Sequence, residues 1–159
     1  MKKVFLLGGL FLLVLAACSK KDDTPAFDVI AQYDTDSAKI VDYLAANNIT
    51  DVKHDLRGIF YQVVDRGDTQ DSVHGQANVT VAYDGTFLDK TRFDSSQLIS
   101  FDLQSVIAGW QIGIPKIGKG GEINLFLPSY YAYQQYGKGS VPPNTVLVFN
   151  VKLFDFINK

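Results

Sequence analysis

The hydrophobic pattern changes character three times along the chain. Behind Lys2 and Lys3, Val4 to Ala17 form an uncharged, Leu-rich run closed by small residues. Between Asp34 and Asn47, Ile40, Val41, Leu44 and Ala45 recur at helical spacing, with Asp34, Thr35 and Asp36 offering N-caps and Asn47-Asn48 a stop, so a short amphipathic helix is predicted there. Farther on the period shortens. Gly58 to Val64 is β-branched and aromatic up to Arg66-Gly67-Asp68, Val79 to Tyr83 alternates, and Asp84-Gly85 predicts a turn into a further strand through Phe87 and Phe93. A helix is predicted over Val106 to Ile114, and strands over Glu122 to Leu127 and Val146 to Phe156. Antiparallel strands in runs, broken by one short helix, predict an α+β fold.

The first apolar run is too short to span a bilayer and reads as a secretion signal over residues 1–17. It ends in Leu15-Ala16-Ala17-Cys18, which resembles the bacterial lipobox, and Cys18 is the single Cys of the chain, with no partner for an internal disulfide. Cys18 is therefore expected to carry the lipid as the first residue of the mature protein. Residues 18–33 are expected to form a lipidated tether, polar and without hydrophobic periodicity up to Ala26, and Lys21-Asp22-Asp23 resembles the export tag of some surface lipoproteins. The expected location is the cell envelope, anchored by lipid to the outer membrane and facing the periplasm or the surface.

Composition narrows the partners. Cleavage after Ala17 removes two of the 15 basic residues and leaves 13 against 17 acidic ones, which argues against nucleic acid. The run Gly113 to Gly120 spells most of a phosphate-binding loop but ends in Gly120 where Ser or Thr is needed, and it follows a predicted helix where a strand is required. His54 and His74 stand singly, away from any ligand-spaced cluster, so no metal site is expected.

The second half carries ordered motifs. They are Val81-Ala82-Tyr83-Asp84-Gly85, Phe93-Asp94-Ser95-Ser96, Phe101-Asp102-Leu103, Val106-Ile107-Ala108-Gly109-Trp110, Leu127-Pro128, Tyr131-Ala132-Tyr133 and Val141-Pro142-Pro143-Asn144 running into Val146 to Val151. In kind, order and spacing they resemble the FKBP family of peptidyl-prolyl isomerases, over roughly residues 78–156. The resemblance implies a strongly bent antiparallel sheet wrapped around one short helix. It makes residues 78–159 the isomerase domain and residues 34–77 an N-terminal extension of helix plus strand, as on many exported bacterial members.

The implied chemistry is rotation about the X-Pro amide, whose resonance sets a barrier of about 18–20 kcal/mol. Neither cofactor nor metal is implied. What is needed is a dry apolar pocket that fits the twisted amide better than the planar one. Carried over by position, the resemblance makes Trp110 the floor, with Val106 and Ile107 beside it and Tyr83, Phe93 and Phe149 as walls. It makes the Ile107 N–H a donor to a ligand carbonyl, gives the polar contacts to Asp94 and the Tyr133 hydroxyl, and sets Val141 at the lip. Ile99 stands where many members place an aromatic wall, which implies a shallower pocket. Phe101, Leu103 and Val151 are assigned to the core, the usual fate of such residues. Gln134 takes a position where the family usually has Gly, so the flap from Gln134 to Ser140 is expected to follow another path. The expected partners are proline-containing unfolded or exported polypeptides, macrolide inhibitors, and the membrane through the lipid. The alternative on the same fold is a non-catalytic peptide-binding chaperone or assembly module.

Overall fold

In the computed structural model, residues 27–159 are described, and the signal segment, Cys18 and the tether up to Ala26 lie outside them. Helix α1 (Val29–Ala46) is followed by strands β1 (Lys53–His54), β2 (Phe60–Asp65), β3 (Ala77–Thr86) and β4 (Arg92–Asp102). A 3-10 turn (Leu103–Ser105), helix α2 (Ala108–Gly113), a second 3-10 turn (Ile114–Lys116), β5 (Glu122–Leu127), a third (Ser129–Tyr131) and β6 (Leu147–Asn158) complete the order. The six strands form one antiparallel sheet, β1-β2-β5-β6-β3-β4. The α+β architecture expected from the strand runs is the one observed.

Strand alternation divides the sheet into two faces. Ile123, Leu125 and Leu127 of β5 and Leu147, Phe149, Val151 and Leu153 of β6 point to the main core, where α2 also packs. Phe126 of β5, Phe60 of β2 and Val148 of β6 point the other way and meet Ile40, Tyr43 and Leu44 of α1. The two helices therefore cover opposite faces. Bulges between Val81 and Tyr83 and between Gly85 and Thr86 in the β3–β4 pairing supply the local bend that curls the sheet toward α2.

Three sequence expectations are corrected. Helix α1 starts at Val29, capped by Asp28, whose side chain accepts from the N–H groups of Ile30 and Ala31 at 3.0 Å. Asp34, Thr35 and Asp36 lie inside it, and the last residues assigned to the tether are helical. The start was hidden because Val29 and Ile30 are exposed, 42% and 74%, and so lie off the buried stripe. Second, Asp84-Gly85 is not a turn. Both residues stay in β3, paired with Ser95 and Asp94 on one side and Asn150 and Phe149 on the other. The hairpin closes later, where Phe87 N–H donates to Thr91 O at 2.9 Å and Lys90 takes a left-handed φ of 69°.

The predicted helix over Val106 to Ile114 contracts to Ala108–Gly113. Val106 and Ile107 are extended, and a 3-10 turn with Pro115 takes over at Ile114, where the missing N–H and fixed ring of proline end regular α geometry. This short helix sits unusually close to the sheet. A Cβ on Gly109 would lie 2.4 Å from Leu127 Cδ1, and one on Gly113 would lie 2.4 Å from Leu125 Cδ2. Four residues apart, the two glycines share one face of the helix and let it descend onto β5.

Candidate active site

That close approach sets Trp110 at the bottom of a cleft between α2, β3, β4 and β6. The indole is 5% exposed and three aromatic rings surround it. Tyr83 meets it edge-on at 5.1 Å between centroids and 78°, Phe149 at 5.2 Å and 85°, and Phe101 is tilted at 5.5 Å. Phe93 extends the wall by meeting Phe149 edge-on at 5.5 Å and 84°. Edge-to-face geometry of this kind adds about 0.5–1.5 kcal/mol per pair beyond burial, so the rings hold one another in place. Gly85 makes room for them: a Cβ there would come within 2.8 Å of Phe93 and 2.9 Å of Phe149.

The cavity over this floor measures about 210 Å³. Tyr83, Phe93, Asp94, Ile99, Val106, Ile107, Trp110, Tyr133 and Phe149, nine of the residues singled out from the sequence, come together around it. Val141 does not: it is 6% exposed within the main core and holds the flap from beneath, exchanging 2.9 Å backbone hydrogen bonds with Lys138. Phe101, assigned to the core, packs against the main core and also lines the cavity. It stands on β4, the edge strand of the sheet, where its ring meets Trp110.

Sequence reading missed two lining residues, Ser105 and Lys138. Ser105 is fixed by donating its hydroxyl to Asp102 O at 2.7 Å. Lys138 stands at the rim with its Nζ 5.6 Å from the centre of the Tyr133 ring, between Gly137 and Gly139, both at left-handed φ. The Gly-Lys-Gly triplet was the available signal, a sharp turn that lifts one cation toward the cleft.

The polar groups of the cleft form a small network. Tyr83 donates its hydroxyl to Asp94 Oδ2 at 2.7 Å, and Asp94 Oδ1 accepts from the Ser95 N–H at 2.9 Å, so the carboxylate is held within β4 while it lines the site. Burial, reinforced by the Asp94 bond and charge, pushes the Tyr83 hydroxyl up to about 12. Burial likewise raises Tyr133, with the Asp94 charge adding to it. Both phenols are protonated donors at neutral pH.

The flap begins in a left-handed turn at Gln134. Gln134 itself adopts the left-handed conformation at φ 53°, with its N–H on Ser129 O and its carbonyl accepting from Asn144 N–H, both at 2.8 Å. Backbone bonds on both sides over-determine the conformation, which a non-glycine residue then tolerates.

Residues 69–154 match the family model described as FKBP-type peptidyl-prolyl cis-trans isomerase. The chain belongs to this family. Among its FKBP relatives, the FKBP-type peptidyl-prolyl cis-trans isomerase FkpA of Escherichia coli K12 is 41% identical over 108 residues, covering 65% of this chain and 40% of that protein. FkpA of Aeromonas hydrophila is 42% identical over 117 residues, covering 70% and 43%. The chain thus spans about two fifths of the length of the curated relatives it matches. Among solved structures, FkpA from Escherichia coli superposes with a TM-score of 0.71 at 34% identity, covering 81% of this chain and 62% of that one. A peptidyl-prolyl cis-trans isomerase from Pseudomonas syringae pv. tomato DC3000 gives 0.69 at 28% identity, covering 82% and 96%.

Proposed function

We propose that the cleft over Trp110 catalyses cis-trans rotation about X-Pro bonds in unfolded, exported polypeptides. The observation that carries this reading is the set of rings standing around the indole, a rigid apolar cradle of about 210 Å³ with one carboxylate at its edge. Family membership supports turnover over the non-catalytic alternative.

The chemistry follows from the amide. A planar X-Pro bond shares charge between oxygen and nitrogen and is well solvated in water. At the twisted midpoint that conjugation is lost, the lone pair returns to nitrogen, and the charge separation between oxygen and nitrogen falls. A dry aromatic wall solvates the charge-separated planar form poorly and accommodates the twisted one, which lowers the barrier without making or breaking a bond. The proline ring sits on Trp110 between Tyr83 and Phe149. Ile107 caps the N-terminus of α2, where N–H groups lack intrahelical partners, so its N–H donates to the substrate carbonyl. The Tyr133 hydroxyl donates to a neighbouring carbonyl, and Asp94, held by Tyr83, orients the amide being turned.

The Leu15-Ala16-Ala17-Cys18 sequence supports export with cleavage before Cys18 and lipid attachment to its thiol, which would tether the isomerase at the outer membrane. Several acyl chains would make that attachment firm, as a single one would not. A proline-limited refolding assay with the full chain tests the function. Acceleration that an FKBP-directed macrolide abolishes is expected, and a wild-type protein that leaves the slow phase unchanged overturns the reading. Membrane fractionation of wild type against Cys18→Ser tests the anchor, with release of the variant expected.

A further inference from the structure

Helix α1 packs on the face of the sheet opposite the cleft, yet it contains one group that packing does not account for. Asp36 is fully buried, at 0% exposure, whereas the hydrophobic seal of the helix is carried by Ile40 and Tyr43 against Phe126. A buried carboxylate is costly unless its oxygens are bonded, and an apolar side chain at this position would seal the helix without that cost. Both oxygens are in fact engaged. Oδ2 accepts from the Ser129 backbone N–H at 2.8 Å, and Oδ1 accepts from Gln32 Nε2 at 2.8 Å with Lys39 Nζ at 3.7 Å.

Ser129 opens the turn that leads to the flap. Its carbonyl accepts from the Ala132 N–H at 3.0 Å and from the Gln134 N–H at 2.8 Å, the two amides that bracket Tyr133. One helical turn before Asp36, the Tyr33 ring meets Tyr131 edge-on at 6.4 Å. The Tyr33 hydroxyl donates to Gly58 O at 3.2 Å, and the Tyr131 hydroxyl donates to Arg57 O. Both ends of the Ser129–Tyr131 turn are thereby braced from α1 and from the loop before β2. Tyr133, whose hydroxyl faces the cleft, hangs from that braced turn.

We infer that Asp36 is a positioning residue for the isomerase site: by capping Ser129 it sets the turn that places Tyr133 over Trp110, making the N-terminal helix part of the active-site support. The inference rests on the reading of the cleft as an isomerase site. The role is selective, because Asp36 touches no cleft residue and acts through one backbone turn.

The test uses the full chain, with kcat/KM on a proline peptide and amide hydrogen exchange measured in parallel. Asp36→Ala is expected to lower kcat/KM by about five-fold and to speed exchange at Ala132 and Gln134 by about ten-fold relative to Leu125. Asp36→Asn keeps an oxygen that accepts from Ser129 and is expected to restore most of both. Asp36→Leu fills the site but cannot accept, and it serves where the alanine variant does not fold; the same loss is expected. In a cycle with Tyr133→Ala the effects should be less than multiplicative. Val73→Ala, truncated in the core away from the flap, controls for stability and should leave exchange at Ala132 and Gln134 unchanged. Wild-type exchange and turnover in Asp36→Ala or Asp36→Leu, or losses that multiply with Tyr133→Ala, overturn the inference. A wild-type chain without turnover overturns the isomerase reading instead, and exchange at Ala132 and Gln134 then decides whether Asp36 sets the turn.

Discussion

Tyr83 and Asp94, on neighbouring strands and not directly opposed, are joined by a 2.7 Å hydrogen bond that closes one side of the cleft. Asp94 pairs with Gly85 in the sheet, two residues along from Tyr83, so the bond runs diagonally across the strands. It keeps the tyrosine protonated while partial burial of the ring disfavours the phenolate. The Tyr83 hydroxyl is raised from 10.0 to about 12, and the sign of its contribution follows. Below the unfolded value both states carry the proton and the stabilisation is complete. As pH rises from 10 toward 12 the unfolded chain releases its proton before the folded one does, so the stabilisation is progressively lost. Denaturation at pH 9 and 11 is expected to show a fall that is smaller in Tyr83→Phe. Phenolate absorbance should show the variant lacking one late-titrating tyrosine.

The aromatic cradle makes its own prediction. Phe149 is 3% exposed and touches Trp110, Tyr83 and Phe93. Phe149→Ala is expected to cost about 3–5 kcal/mol in stability and to abolish most turnover. Phe149→Leu keeps more of the volume but loses the flat wall, so activity should fall further than stability does. Urea denaturation and peptide isomerisation on the same samples separate the two. Trp110 is the single Trp of the chain, so its emission reports the cleft directly. A proline peptide should shift that emission in the wild type.

The parts of this site that sequence exposes are those in which one residue performs one physical task. Trp110, Phe149, Tyr83 and Asp94 were legible because their types and order recur in a recognised motif. Strand alternation identified β5 and β6 because their burial alternates or stays continuous along the run. Asp84-Gly85 misled because its local turn preference is real, but Gly85 is required for another reason, to admit the Phe93 and Phe149 rings. Phe101 was legible as core but not as lining, because a ring at the edge of a core and a ring lining a cleft have the same pattern. Asp36 looked like a cap from sequence spacing, and only the tertiary fold brings Ser129 to it from 93 residues away.

Gly85 therefore gives a third prediction. Its place in the sheet is ordinary extended backbone, so the obstacle to a side chain is the rings and not the dihedral angles. Gly85→Ala must push Phe93, Phe149 or both, because a Cβ would meet them at 2.8 and 2.9 Å. A cost of about 1–3 kcal/mol is expected for the overpacking, with weakened binding of proline peptides. Restoring room with Gly85→Ala plus Phe93→Leu should recover part of the stability. If Gly85→Ala melts as the wild type does, the rings are not held where the structure has them.

Gln134 tests how the flap keeps its shape. It holds φ 53°, a conformation disfavoured for any residue with a Cβ, and its N–H and carbonyl are bonded to Ser129 and Asn144. A glycine keeps both backbone bonds and removes the Cβ crowding, while making the unfolded chain more flexible. The two effects oppose each other, and relief of the left-handed strain is the larger. Gln134→Gly is expected to stabilise by up to about 1 kcal/mol, whereas Gln134→Val, with branching at Cβ, should destabilise by more than that amount. Urea midpoints at constant m-value measure both. A glycine variant less stable than the wild type would mean that the Gln134 side chain, and not the backbone bonding around it, holds the turn under Tyr133.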